Sequence, residues 1–550
     1  MKVNSLISHN HRHFDKIADT FQWEIPKYFN LGQDLSDKHA DEPSKVAVFL
    51  EDEKGKEQKL TFGDLIKYSN KFANVLKGLG VVPGDGVCVI LPQKLETVIA
   101  HVGIYKLGAI ALPLSVLFQT DALEYRLQNS GAKVVVTAQE DAFKVRGIIS
   151  RLPNLKKLIV IGKEEEGELN FWKALEIASS EFTHLNTKAD DPAILIYTSG
   201  TTGPPKGALH AHRFLIGHFP SFELSHNFFP KEGDVFWSPA DWAWGGGLFD
   251  ALFPCLHYGV PILAYREGKF DAEKAVYMLD KYRVRNTFIW PTALKMMRQV
   301  KDLKTKYSLI IRSISSGGEA VGEEVIKWAE ADLGVTINEF FGQTEINYVT
   351  GNCSAIMKVK AGSMGKQYPG HTVDLIDDKG NFVKSGEIGE VVVKRHHPVM
   401  FLGYWQNEKA TQEKILGDWW RMGDLAIRDA DGYYWFQGRN DYIIGSAGYR
   451  IGPSEIENAL LKHPAVAQAA AVGSPDKVRG EIVKAFIKLA HGYSPSDALV
   501  KELQEQVKKT LAFYEYPREI EFIDELPMTT TGKVRRNELK RREIEKKKNM

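Results

Sequence analysis

The segment Tyr197-Thr198-Ser199-Gly200-Thr201-Thr202-Gly203-Pro204-Pro205-Lys206-Gly207 crowds three glycines, four small hydroxyls and one lysine into a single turn. Such a loop is suited to phosphate. Glycines let the backbone take positive φ and aim successive N–H groups into one concavity. The hydroxyls add donors and the lysine a point charge. The apolar run Ala193–Tyr197 predicts a strand before the loop, and Ala208–His218 is expected to continue as a helix, the usual order at phosphate sites. A Walker loop needs Gly before the Lys and Ser or Thr after it, whereas here Pro205 precedes Lys206 and Gly207 follows. A flexible surface linker is the plain alternative, but it gives no reason for a lone lysine after two prolines.

At 550 residues the chain is expected to form at least two domains. A formal net charge of +1 provides no global field that would select nucleic acid or a membrane surface. The basic stretch 533–550 lacks the interleaved aromatics that single-stranded nucleic acid requires, and a solvated terminal helix or frayed end is expected there. Cys88, Cys255 and Cys353 are far apart and form no metal-type cluster, which fits a reduced cytoplasmic compartment. The N-terminal stretch carries polar residues where a secretory signal needs an apolar run, so no export is expected. No transmembrane segment is expected either: the best apolar run, Val98–Leu117, is broken by His101, Gly103, Lys106 and Gly108.

From about residue 45 to 435, strand-type runs alternate with helical patterns, as in Gly86–Leu91, Glu96–Leu107 and 134–136. That rhythm predicts an α/β fold with a largely parallel sheet. Segment 371–405 reads instead as a β-rich subdomain with a turn at Asp377-Asp378-Lys379-Gly380. A large N-terminal domain, 1–438, is expected, followed by a small mobile α+β domain, 439–550. The latter should contain helices at Ser454–Lys462 and Ser496–Leu511, with strands at Val466–Val472, Val483–Leu489 and Glu519–Ile523.

Two more strand-to-loop junctions resemble the first. Leu309–Ile314 runs into Ser315-Ser316-Gly317-Gly318-Glu319-Ala320, and Val335–Phe340 into Phe341-Gly342-Gln343-Thr344-Glu345. Ligands of open α/β sheets bind at the carboxyl ends of strands, so three such loops could converge on one nucleotide. Glu345 suits Mg2+ held through oxygen, and Phe341 offers a face to a base. Trp420-Arg421-Met422-Gly423-Asp424 and Gly438-Arg439-Asn440-Asp441 add a carboxylate and a guanidinium of the kind that grip ribose, though alone such pairs usually mark turns. Lys533, behind Thr529-Thr530-Thr531-Gly532, is placed to move rather than to pack.

The set YTSGTTGPPKG, SSGGEA, EFFGQTE, WRMGD, GRNDYIIGSAGYRIGPSEIE and PMTTTGKVRR, in this order over about residues 30–540, resembles the adenylate-forming superfamily. Within it the chain is most similar to the medium-chain acyl-CoA synthetases and acetyl-CoA synthetases. The resemblance implies two half-reactions: a carboxylic acid and ATP give acyl-AMP and pyrophosphate, then coenzyme A takes the acyl group and AMP leaves. Thr198, Ser199, Gly200, Thr201, Thr202 and Lys206 would close over the β- and γ-phosphates. Gly318 and Glu319 would border the adenine, Phe341, with Gly342 and Gln343 beside it, would stack on it, Thr344 would meet the α-phosphate and Glu345 the magnesium. Asp424 and Arg439 would hold the ribose, and Lys533 would bridge carboxylate and phosphate oxygens. Asp441 matches the hinge residue, and Gly448 and Arg450 the coenzyme A face. Tyr442 departs from the second acidic residue of many relatives, and Ile346-Asn347-Tyr348 from their Thr-Gly.

The resemblance also makes Lys533 an expected target of a lysine acetyltransferase and deacetylase. For the acyl pocket it singles out Trp244, Gly245, Gly246 and Gly342. Where acetate-specific relatives carry a tryptophan, Gly342 has no side chain, so a pocket for acids of about four to ten carbons, branched and aromatic ones included, is expected at roughly 0.8 kcal/mol per buried methylene. Two rival readings share these motifs: a ligase that loads a carrier protein, and a nucleotide-binding regulator without catalysis.

Overall fold

The computed structural model describes residues 7, 13–198, 204–265, 268, 270–439, 442, 444–446, 449–476, 479–511, 515–529 and 533–548. Residues 1–361, 365–372 and 394–418 form one compact unit, and residues 362–364, 373–393 and 419–550 a second. The expected boundary at 438/439 therefore falls inside the second unit. The reason is local: Trp419–Arg428 pairs antiparallel with Tyr434–Arg439, and a Cβ added to Gly438 would stand 3.1 Å from the Pro453 ring, so the chain on both sides of 439 packs together.

Within the first unit, Gly86–Ile90 pairs in parallel with Ile110–Pro113 and Val134–Ala138. All five residues of Val134–Ala138 are buried, as expected of a parallel strand covered on both faces. This sheet has eight strands and ends on the phosphate-loop hairpin and the short edge strand Gly403–Tyr404. A nine-stranded sheet carries Asn286–Phe288, Ser313–Gly317 and Ile337–Gln343 side by side in parallel. Helix Leu95–Lys106, part of the apolar run that fails as a membrane span, is buried from Thr97 onward. Its buried Lys106 amine is tolerated because Asp37 Oδ1 at 2.5 Å and Asn70 Oδ1 at 2.7 Å receive it. Helix Phe214–Ser225 has apolar residues on every side, interrupted by His218, Ser221, Glu223 and Ser225, and is buried at all but one position.

The structure overturns two local expectations. Ala208–His218 does not continue the phosphate loop as a helix: Lys206–Ala211 is a strand paired antiparallel with Pro192–Thr198, and the helix begins at Phe214. The hairpin satisfies backbone groups along Pro192–Thr198 that a helix in its place would leave as an open sheet edge. In the second motif, residues 309–312 lie outside the strand, which is Ser313–Gly317. Its serines enter the core because each hydroxyl is paired: Ser313 donates to Asn286 Oδ1 at 2.8 Å, Ser316 to the Ile289 carbonyl at 2.7 Å, and Ser315 lies 2.9 Å from His226 Nε2.

In the second unit, Val373–Ile376 pairs antiparallel with 390–393, as the β-rich reading of 371–405 anticipates. Val466–Asp476 and Gly480–Leu489 form a long antiparallel pair, with Pro453–Leu461 and Asp497–Thr510 as helices. The basic C-terminal stretch forms helix Arg536–Lys548, docked by Leu539 and by Glu543, whose carboxylate takes the buried Lys484 amine at 2.7 Å.

Burial holds nine histidines neutral. The pKa values of His101, His210, His212, His218 and His397 fall to about 3, those of His39 and His257 to about 4, and those of His226 and His371 well below the ordinary value. In the unfolded chain these rings protonate below about pH 6.5, so the unfolded state binds more protons and stability falls as pH drops from 6.5 toward 3. Glu339, raised to about 8, and Asp250, also raised by burial, act with the opposite sign but are outnumbered. The melting temperature is expected to drop by several degrees between pH 7 and pH 5, with net uptake of several protons on unfolding at pH 5; calorimetry in buffers of different ionisation enthalpy measures both.

Candidate functional site

The hairpin places Thr198 directly opposite Lys206, with the Thr198 hydroxyl 3.4 Å from the Lys206 carbonyl. Ser199, Gly200, Thr201 and Thr202 lie outside the described residues. The outer face of the hairpin carries Gly403–Tyr404, with Tyr404 opposite Ala208 and the Trp405 amide donating to the Gly207 carbonyl at 2.7 Å. Lys206 Nζ stands 5.2 Å from the centre of the Tyr404 ring, and the Tyr404 hydroxyl donates to Glu345 Oε1 at 2.6 Å. Lys206 and Glu345, far apart in sequence, are thus joined through one tyrosine that the motifs did not single out. The sequence held a sign of it in Gly403-Tyr404-Trp405, an aromatic pair on a short edge strand.

Glu345 is buried, and its backbone carbonyl accepts from the Phe401 amide at 2.9 Å. With Oε1 engaged by Tyr404, Oε2 is the oxygen a cation could take. Among the described residues no group of three or more His, Cys, Asp or Glu is arranged to hold a metal. Mg2+ commonly binds one or two carboxylates plus substrate phosphates, and Glu345 fits that pattern.

Phe341, Gly342, Gln343 and Thr344 form a half-buried rim where the fully buried strand segment 337–340 emerges. On the neighbouring strand, Gly317 lies opposite Phe340, and a Cβ there would come 2.6 Å from the Phe340 ring. Gly318 follows at φ 87°, a conformation that glycine adopts without strain, and is exposed. The Thr292 hydroxyl donates to Glu319 Oε2 at 2.8 Å and fixes the direction of that side chain. These loops meet at the carboxyl ends of parallel strands, where a nucleotide is expected.

In the second unit, Asp424 and Arg439 are cross-strand partners, with Arg439 Nη1 3.7 Å from Asp424 Oδ1. A pair separated in sequence is therefore one acid–guanidinium unit. Lys533 is exposed, and its backbone is joined to Thr529: the Thr529 amide donates to the Lys533 carbonyl at 2.7 Å and the Lys533 amide to Thr529 Oγ1 at 3.0 Å. Arg450 sits opposite Gly445 in the hairpin of Ile444–Ser446 and Tyr449–Ile451. Asp441 and Gly448 lie outside the described residues. Tyr442, next to the expected hinge, has the Arg536 guanidinium 5.8 Å from its ring centre, and Glu457 holds that guanidinium at 2.6 and 2.9 Å.

At the expected acyl pocket the glycines differ in what surrounds them. A Cβ on Gly342 would lie 1.5 Å from the Asn347 carbonyl oxygen, because 337–343 turns back on 347–351 with a register shift at Phe341/Gly342. Glycine at 342 thus answers to the backbone and does not by itself mark pocket depth. A Cβ on Gly246 would stand 2.9 Å from the Phe288 ring, and Gly245 meets only ordinary contact with Phe249 at 3.5 Å. Trp244 packs edge-on against Phe118 at 5.6 Å, while Tyr348 stacks on Phe340 at 3.5 Å.

Residues 35–405 match the AMP-binding enzyme family and residues 455–533 the AMP-binding enzyme C-terminal domain. The chain belongs to the AMP-binding enzyme family. It is 36% identical to the uncharacterized acyl–CoA ligase YtcI of Bacillus subtilis, over 95% of this chain and 98% of that protein. It is 37% identical to the mitochondrial acyl-coenzyme A synthetase ACSM3 of Rattus norvegicus, over 98% of this chain and 94% of the relative. The crystal structure of the anthranilate CoA ligase AuaEII with anthranoyl-AMP superposes with a TM-score of 0.87 at 29% identity, covering 95% of this chain and 99% of that one. The activity is that of an ATP-using, AMP-forming acyl-CoA synthetase, an acid–thiol ligase.

Tyr404→Phe removes a hydrogen bond to an ionised group, worth about 1.5–3 kcal/mol. We expect the Mg2+ concentration needed for half-maximal ATP–pyrophosphate exchange to rise roughly tenfold in this variant, with thermal stability retained. Gly342→Ala is expected to lower turnover of every acid together, because it displaces the Asn347 peptide; a panel of acids of different length checks this.

Proposed function

We propose that this enzyme activates a medium-chain, branched or aromatic acid at the rim formed by Phe341–Glu345, with Thr198, Lys206 and Glu345 serving the ATP phosphates and Mg2+. The observation that carries the reading is the link Lys206–Tyr404–Glu345, in which the cation stands over one aromatic ring whose hydroxyl holds the carboxylate. A carboxylate oxygen of the acid bonds to the α-phosphorus while the α–β anhydride bond breaks, and pyrophosphate leaves with that electron pair. In the second half-reaction the coenzyme A sulfur, having lost its proton to solvent, bonds to the acyl carbon as the carbon–oxygen bond to AMP breaks. No protein nucleophile is required. The chemistry asks only that anions be aligned and their charge compensated. Bound Mg2+ would supply charge neutralisation at the phosphates.

Lys533 supplies the positive charge for the first half-reaction, and its exposure suits a residue needed in one step and not in the other. Asp424 and Arg439 take the ribose. Gly318 and Glu319 border the adenine, Phe341 stacks on it beside Gly342 and Gln343, and Thr344 meets the α-phosphate. Residues from 439 onward turn about Asp441 between the half-reactions, and Gly448 and Arg450 meet coenzyme A. An exposed lysine is also open to acetylation, which removes its charge. Three free, buried cysteines fit a cytoplasmic location. Among the described residues no helix is long and apolar enough to cross a membrane.

Lys533→Ala is expected to reduce acyl-AMP formation by roughly several hundred-fold, the usual scale for losing a preorganised charge. Thioester formation from supplied acyl-AMP should be spared. Equal loss in both half-reactions, measured separately, would exclude this division of labour. Gly448→Leu is expected to do the reverse, keeping ATP–pyrophosphate exchange and losing acyl-CoA output.

A further inference from the structure

Helix Thr120–Ser130 lies against the phosphate hairpin, and no motif accounts for the polar side chains it carries there. Its Leu123 and Leu127 bury into the same core as Leu195 and Tyr197 of the hairpin's first strand, and Gly131 ends the helix at φ 66°, a left-handed cap. Tyr125 and Asn129, one helical turn apart, share a face of this anchored helix. The Tyr125 hydroxyl donates to the Pro205 carbonyl at 3.1 Å. Asn129 Oδ1 accepts from the Tyr197 hydroxyl at 2.6 Å, with the Arg126 carbonyl 3.3 Å from the same hydroxyl, and the Asn129 carbonyl accepts from the Trp405 indole at 3.1 Å.

These contacts reach both stems of the phosphate loop and the strand beside it. Tyr197 immediately precedes Thr198, Pro205 immediately precedes Lys206, and Trp405 immediately follows Tyr404. Pro205 has no amide hydrogen, so the ladder that pairs Thr198 with Lys206 cannot continue through it, and the residue is held by its carbonyl instead. Tyr197 is only 2% exposed, so its hydroxyl depends on the helix for a partner and not on water. Phenylalanine at 125 and 197 would press the helix against the hairpin equally well. What the hydroxyls add is direction, because each ties one stem to a particular oxygen.

We propose that Tyr125 and Asn129 are positioning residues for the first half-reaction: through Pro205 and Tyr197 they set the two stems of the hairpin, and with them Thr198 and Lys206, for the β- and γ-phosphates of ATP. The proposal rests on the reading that this hairpin serves the phosphates. Acyl-AMP has already lost pyrophosphate, so the second half-reaction makes no demand on these contacts.

The test uses the full-length enzyme with Tyr125→Phe, Tyr197→Phe and the double variant, assayed by ATP–pyrophosphate exchange and, separately, by thioester formation from supplied acyl-AMP. Each single substitution removes one neutral hydrogen bond and is expected to raise the KM for ATP roughly three- to tenfold, the double variant by about the product of the two. Thioester formation should stay near the parent rate, with folding checked by thermal denaturation. Asn129→Leu is expected to add nothing to Tyr197→Phe, since it acts through that hydroxyl; a further rise in the ATP KM would remove Asn129 from the proposal. An unchanged ATP KM in the folded double variant overturns the positioning role, and so does equal slowing of both half-reactions, the mark of a brace that serves stability alone. Lys206→Met tests the underlying reading by itself. If it leaves the ATP KM unchanged, the hairpin does not serve the phosphates and the positioning role falls with that reading; if it raises the KM while the double variant does not, the positioning role alone falls.

Discussion

The antiparallel pairing of Pro192–Thr198 with Lys206–Ala211 is the constraint on which the nucleotide end of the first unit depends. It sets Thr198 opposite Lys206. It also offers its outer edge to Gly403–Tyr404, and through Tyr404 it fixes the direction of Glu345, which arrives from a different sheet. A helix after the loop would present backbone donors to phosphate, but its first turn could not also seat an edge strand. The hairpin gives up the helix dipole and gains a cross-connection that runs from Lys206 through Tyr404 to Glu345.

A similar economy governs the second unit. Asp424 and Arg439 occupy opposite positions on one hairpin, so the polar pair is set by register and not by loop conformation. Arg421, two residues before Gly423, is tied to Glu390, whose other oxygen accepts the Gly423 amide at 3.1 Å, and this pins the strand just ahead of Asp424. Lys533 differs in kind. Its backbone is joined to Thr529 by two hydrogen bonds, while the side chain itself is exposed and is held in no strand register.

Much of this was legible in the sequence, because phosphate and nucleotide sites are built from loops whose composition is itself the signal. The motifs single out Lys206, Glu319, Glu345, Asp424, Arg439 and Lys533 as candidates, and the alternating strand and helix pattern indicates the parallel sheets. What was hidden depends on partners distant in sequence. The strand at Lys206–Ala211 exists because Pro192–Thr198 lies beside it, and Ser313–Gly317 enters a sheet because Asn286, His226 and the Ile289 carbonyl pair with its hydroxyls. Apolar periodicity cannot reveal a strand of buried serines. Tyr404 carried only a weak aromatic cue.

Gly342 shows why substrate range is the property that motif reading reaches last. Lack of a side chain is equally consistent with an open pocket and with a crowded backbone, and only the 1.5 Å approach of the Asn347 carbonyl distinguishes them. With 342 committed to the backbone, its lack of a side chain carries no information on the length of the acid. Gly245 and Gly246 differ from it, since a Cβ at 246 would meet the Phe288 ring closely and one at 245 only ordinary contact with Phe249. Strand pairing therefore governs Gly342, whereas Gly245 and Gly246 face side chains, which can move aside where a paired strand cannot.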